Sequence, residues 1–293
     1  MSRLLIVPVS VAVAVLLWLW MGGGFDRLAI WASGEQRAFQ NQMAGALRGL
    51  RGGNQGALWL LLGLCFAYGF FHAVGPGHGK VLIGGYGLGR RVPVLRLGVI
   101  GLLSSLGQAV TAVALVYSGV LVLNLTRERM VGLTEDIMAP ISYGAIGLIG
   151  LWLVWRGTRK LVRQRAPAPA GVCNDCGHRH GPDLGEVEKA GTLREALALI
   201  GGIAARPCTG ALFVLILTWQ MGIPLAGIAG AFAMALGTAA VTIAVGLSAA
   251  GLRGGIAGSV AGLRSAAIVL PMVELLAGLL VAGVAMGLLM RSL

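Results

Sequence analysis

Two histidines, His72 and His78, stand on either side of Gly75-Pro76-Gly77 in the run FFHAVGPGHGK, residues 70–80. A neutral imidazole nitrogen is a good ligand for Ni, Co, Zn, Cu and Fe ions, so the pair could grip a transition metal. On an unbroken helix a separation of six residues turns about 240° around the axis, and the two rings would face apart. A break at Gly75, Pro76 and Gly77 removes that constraint and lets both rings turn to one cavity. The competing reading leaves each histidine hydrogen-bonded inside a helical bundle. A second cluster, IAARPCTG, carries Pro207 and Cys208. Cys208 is either a thiolate donor or a small packed residue.

Glu274 lies in VLPMVELLAGLL, well inside an apolar run. An ionised side chain there costs about 2.5–3.5 kcal/mol on insertion scales, so it must hold a partner or a proton. Arg206 is the expected partner in the structural reading; metal ligation or proton acceptance is the functional one. Gln108, with Ser104 and Ser105, supplies either polar lining or helix-to-helix hydrogen bonds. Cys173-x-x-Cys176-x-His178-x-His180 sets four soft or borderline ligands in one polar stretch, which suits labile capture of Zn or Ni. The alternative there is a linker with incidental Cys and His.

The elements that position these residues are membrane helices. Of 293 residues, 57% are hydrophobic and 12% charged, and the apolar residues fall into runs near 4–20, 56–75, 97–123, 138–155, 196–219, 222–250 and 267–290. Such runs match the thickness of a bilayer's hydrocarbon core, whereas a β-barrel would show short alternating segments. The 48 glycines favour close helix packing. A net charge of +12 comes from Lys and Arg in short loops without interleaved aromatics, which speaks for membrane topology and against nucleic acid. Lys80, Arg90, Arg91 and Arg96 fall after the second run, Arg156 to Arg165 after the fourth, Arg253 and Arg264 after the sixth. These loops are expected on the cytoplasmic side, with the amino terminus inside and the carboxyl terminus outside. The cysteines do not form the framework of a small secreted domain, and reduced thiols are expected. GPGHGK lacks the residues of a phosphate loop, since Val74 and Val81 stand where Gly and Ser or Thr are needed, so no ATPase is expected.

Pro76-x-x-Gly79 aligns with Pro207-x-x-Gly210, each in the first span of a three-span group. Three spans per group invert one group relative to the other, an architecture that secondary transporters share. The expected fold is therefore all-α: a polytopic transmembrane bundle whose six-helix core is two inverted three-helix repeats, preceded by an anchor helix. The expected divisions are an anchor at 1–24, an external amphipathic segment at 25–54 and a first repeat at 55–155, then a cytoplasmic Cys/His loop at 156–193 and a second repeat at 194–293. In the amphipathic segment Leu28, Trp31, Phe39, Met43, Leu47 and Leu50 recur at helical intervals. That stripe suits a helix on the membrane surface or one packed over the bundle.

HAVGPGHGK resembles the His-Ala-x-x-Pro-Gly-His-x-Lys signature of the NicO/RcnA-type nickel and cobalt transporters, and RPCTGALFVL is similar to the second signature of the NicO branch. The resemblance implies movement of divalent cations, usually export of Ni or Co, with His72 and His78 at the motif's histidines. The short loop with cysteines leaves Zn open as cargo. Together with Cys208 and Glu274, these histidines form the candidate metal set, and Gly75, Pro76, Gly77 and Pro207 the candidate helix breaks. No prosthetic group is expected; the partners are the metal ion and the bilayer of a bacterial cytoplasmic membrane, with homo-oligomerisation open. Two rival classes are a thiol-disulfide electron relay through Cys65 and Cys208, and an amino-acid exporter. The relay lacks a cysteine at Gly77, the counterpart of Cys208, and the exporter has no use for the histidines.

Overall fold

A computed structural model of the chain describes residues 24–54, 56–74, 78–90, 92–123, 125–165, 193–260 and 266–292. The expected anchor, the Gly75-Pro76-Gly77 break and the ligands Cys173, Cys176, His178 and His180 lie outside the described residues. All regular structure among the described residues is helical. In chain order the helices are α1 (Gly24–Arg51), α2 (Gly56–Val74), α3 (His78–Gly89), α4 (Val94–Leu121), α5 (Arg127–Gly132) and α6 (Ala139–Arg165), then α7 (Leu193–Ala204), α8 (Thr209–Gln220), α9 (Pro224–Val260) and α10 (Ala266–Ser292). A π-helical turn, Leu133–Met138, joins α5 to α6.

Among the described residues, five stretches are long and apolar enough to cross a bilayer: Gly56–Val74, Val94–Leu121, Arg127–Val162, Pro224–Ser259 and Ile268–Ser292. Helices α7 and α8 make a sixth if the pair, bent by 58°, is taken as one span. Trp59, Leu60, Leu148, Leu225 and Leu280 point outward from these helices. Outward-facing apolar side chains are what a lipid-embedded perimeter requires.

Helices meet where side chains are absent. A Cβ on Gly69 of α2 would collide with the Met234 carbonyl of α9, and one on Gly237 of α9 with the Phe66 carbonyl of α2. The Thr238 hydroxyl donates across this seam to the Gly69 carbonyl at 3.2 Å. Helices α6 and α10 approach similarly, with the position of a Gly150 Cβ lying 2.5 Å from the Ala282 nitrogen. In lipid, where burying apolar area between helices gains little, such backbone proximity and the dispersion contacts it permits hold the bundle together.

Two stretches differ from their sequence expectation. Residues after Gly77, expected as a basic loop, form α3, whose Leu82, Ile83 and Tyr86 are fully buried in a cluster with Leu97, Ile146, Leu199 and Val281. This helix is short and glycine-rich, so it carries no membrane-length signal; its surroundings bury it. Arg90, at its end, is buried and ion-paired with Glu195 of α7 at 2.9 Å rather than free in a loop. The loop expected at 124–137 is mostly helical, continuing through the π turn into α6. The amphipathic segment is α1, and it packs antiparallel along α2. Gln36 meets His72, Gln40 meets Tyr68 and Met43 meets Cys65, while Met43 and Leu47 enter the core beside Leu61, Val214 and Met234.

Candidate metal site at the broken helices

The break between α7 and α8 begins with a missing donor. Proline has no N–H, so Pro207 cannot serve the carbonyl of Ile203 four residues earlier. Gln108 of α4 takes over: its Nε2 donates to the Ile203 carbonyl at 3.2 Å and to the Arg206 carbonyl at 3.3 Å. Ser142 of α6 donates to the Gly202 carbonyl at 2.6 Å. Two neighbouring helices thus satisfy the backbone that the break exposes, which is the condition for non-helical backbone at membrane depth. Ser104, one turn before Gln108, is fully buried, and its hydroxyl has no hydrogen-bond partner among the described residues.

Arg206 turns away from Glu274. Its guanidinium donates to the Tyr143 hydroxyl and pairs with Glu135 at 2.7 Å. The Arg206–Glu274 pair expected from the sequence is therefore not formed. Glu274 is 1% exposed and is held by Arg156 at 2.8 Å and Lys160 at 3.0 Å, both from α6. Basic residues on the last turns of α6 were assigned to a loop by their sequence, which hid this pairing. The Glu274 side chain lies against Gly89, at the end of α3 opposite His78. Eleven residues of helix separate those ends by about 16 Å.

Cys208 is the N-cap residue of α8, with extended backbone at φ −71 and ψ 129. Its sulfur thus sits where the first-turn N–H groups create a partial positive field that favours an electron-rich donor. Across the interface, His72 occupies the last turn of α2 and lies near enough to Cys208 for the imidazole and the sulfur to interact electrostatically. The histidine at the end of α2 and the cysteine before α8 are therefore neighbours. His78 opens α3; its side chain lies outside the described residues, as does the geometry of a third ligand.

The imidazole of His72 is fixed from two more directions. Tyr68, one turn earlier, stacks on it with ring centroids 5.9 Å apart and planes 8° from parallel. Gln36 of α1 places its Oε1 3.2 Å from Nδ1. The Tyr68 ring in turn lies over Gly210, where a Cβ would collide with it. This gives the glycine of RPCTG a steric reason. The Tyr68 hydroxyl accepts from Gln40 Nε2 at 3.3 Å.

Cys65 and Cys208 are free thiols. Each rests against a methionine sulfur, Cys65 on Met43 at 3.4 Å and Cys208 on Met234 at 3.8 Å. Among the described residues no three of His, Cys, Asp and Glu gather closely enough to enclose an ion by themselves. His72 with Cys208 is the pair they offer. Sequence reasoning missed Tyr68, Gln36, Gln40 and Glu135. The four-residue spacing of Tyr68 and His72 on one helix face was an available signal for the first; the others depend on tertiary contacts.

Comparison with known proteins places the chain in a family. Residues 58–170 match the family model NicO, described as high-affinity nickel-transport protein. A Haemophilus influenzae protein named "Putative nickel/cobalt efflux system" is 30% identical over 234 residues, covering 73% of this chain and 71% of its own length. No solved structure matches the chain. With a relative similar over most of both chains and a matched stretch that spans the His72 and His78 signature, the protein belongs to the NicO family of nickel transporters and is not an enzyme.

Proposed function

We propose that the chain is a secondary transporter that exports divalent transition-metal cations, nickel or cobalt foremost and zinc as a further cargo, through a site at two broken helices. The observation that carries this reading is the meeting of His72 and Cys208, contributed by the end of α2 and the break before α8. An imidazole nitrogen and a sulfur are suitable donors for these borderline ions. His78, as the first residue of α3, is the proposed third ligand. Glu274, committed to Arg156 and Lys160 at the other end of α3, is left out of the ligand set. The name of the Haemophilus influenzae relative supports nickel or cobalt as cargo and the outward direction.

In this reading the two broken elements, α2 with α3 and α7 with α8, head two inverted three-span repeats in a bacterial cytoplasmic membrane. The amino terminus is inside and the carboxyl terminus outside. Cys173, Cys176, His178 and His180 collect the ion on the cytoplasmic side. The energy comes from an ion gradient or from a partner, the two sources open to a chain in which no ATPase is expected.

Flux of Ni, Co and Zn in proteoliposomes tests the proposal. His72→Ala and His78→Ala abolish flux, Cys208→Ala weakens apparent affinity, and a Cys173/Cys176 double substitution weakens it less. Undiminished flux in both histidine variants rejects the site.

A further inference from the structure

We propose that Gln36, on the helix preceding the membrane-spanning core, is a positioning residue that fixes which nitrogen of His72 is offered to the metal. The inference rests on the reading that His72 is a ligand. A neutral imidazole has one donor and one acceptor nitrogen, and an amide oxygen can only accept. With Gln36 Oε1 3.2 Å from Nδ1, the proton belongs on Nδ1, and Nε2 keeps the lone pair that a cation needs. Metal-ligating histidines are commonly oriented in this way through their second nitrogen.

The surroundings make the contact a built one. Gln40, one turn beyond Gln36 on α1, donates to the hydroxyl of Tyr68, and the Tyr68 ring stacks on the His72 ring. Two amides of one helix thus address two stacked rings of the next. Phe71 anchors the arrangement between Trp31, edge-on at 5.5 Å, and Phe39, stacked at 5.3 Å. Met43 and Leu47, both fully buried, fix the same helix further along. Helix α1 precedes the family-model match at 58–170, so its contribution is independent of the two signature motifs.

The first test reads the tautomer directly in the full-length, metal-free protein. In ¹⁵N-histidine-labelled protein in lipid, the His72 resonances, identified by their loss in His72→Ala among the four histidines, report a protonated Nδ1. A protonated Nε2 with bare Nδ1 overturns the proposal. The second test is Ni and Co binding in detergent. Gln36→Met, nearly isosteric and unable to accept, lowers affinity about 10–100-fold and alters the Co absorption spectrum, and Gln36→Glu, which still accepts, restores both. If His72→Ala loses binding while Gln36→Met binds normally, Gln36 has no positioning role and the site reading stands. If Gln36→Glu fails to restore what Gln36→Met loses, α1 acts through packing and the inference is wrong. Normal metal binding by His72→Ala removes the site reading and this inference with it.

Discussion

Gln108 hydrogen-bonds from helix to helix, one of the two roles open to it by sequence. It stands mid-helix in α4 and gives its amide protons to Ile203 and Arg206, the carbonyls flanking the second break. An unmade hydrogen bond at a buried carbonyl costs about 1–3 kcal/mol. Here the nearest alternative donor, the nitrogen of Pro207, does not exist. Gln108→Leu, similar in volume, is therefore expected to lower unfolding stability in detergent by about 1–3 kcal/mol and to loosen Cys208 as well. The paired measurements are the thermal midpoint and the rate at which Cys208 reacts with a maleimide in a Cys65→Ala background. A Gln108→Leu protein with unchanged midpoint and unchanged thiol reactivity means that the break supports itself. At this scale the sequence showed the chemistry better than its geometry. His72 and Cys208 were readable because imidazole, sulfur and proline are rare in apolar runs. Gln36, Glu135 and the true partners of Glu274 were not, because a polar side chain does not reveal which distant element it faces.

Elements were legible where they are long. Helices α4, α6, α9 and α10 lie close to the runs expected at 97–123, 138–155, 222–250 and 267–290, since twenty apolar residues in lipid have little choice but helix. Helix α3 was missed because twelve residues, five of them glycine, fall below that length, and only enclosure by neighbours makes them a core element. Gly84 and Gly85 make room for the side chains of Val245 and Val281, whereas in the α2–α9 seam Gly69 and Gly237 bring backbone against backbone. Gly237→Val is expected to force α2 and α9 apart, since its branched Cβ would enter the space of the Phe66 carbonyl and the Phe70 nitrogen. Overpacking of this kind costs about 1–3 kcal/mol or more, with backbone as the obstructing partner. Gly283→Val, on α10 with open space around it, serves as the matched control. A lower melting temperature for the first and an unchanged one for the second are the expected results; equal effects would trace the loss to glycine replacement in general.

For the molecule as a whole, several ion pairs among the described residues join the parts that precede and follow residues 166–192. Arg90 binds Glu195, Glu135 binds Arg206, and Arg156 with Lys160 binds Glu274; in each case one partner comes before that stretch and one after. Trp152 adds to the same region, lying between the guanidinium groups of Arg90 and Arg156 at 5.6 Å and 5.4 Å. Charges buried at such a boundary contribute little net stability, because desolvation offsets their attraction, yet removing one partner strands the others. Glu274→Gln therefore leaves Arg156 and Lys160 as neighbouring cations around a neutral amide, a loss of about 3–5 kcal/mol. The physical cause is testable by compensation: adding Lys160→Met to Glu274→Gln removes one stranded charge and is expected to recover part of the melting temperature. A double variant no more stable than Glu274→Gln alone would assign the loss to the missing carboxylate's packing. Because the Glu274 cluster lies at the end of α3 opposite His78, the proposed third ligand, the stabilised double variant should bind Ni with the affinity of the unaltered protein. Weakened binding in a well-folded double variant would instead return Glu274 to the ligand set.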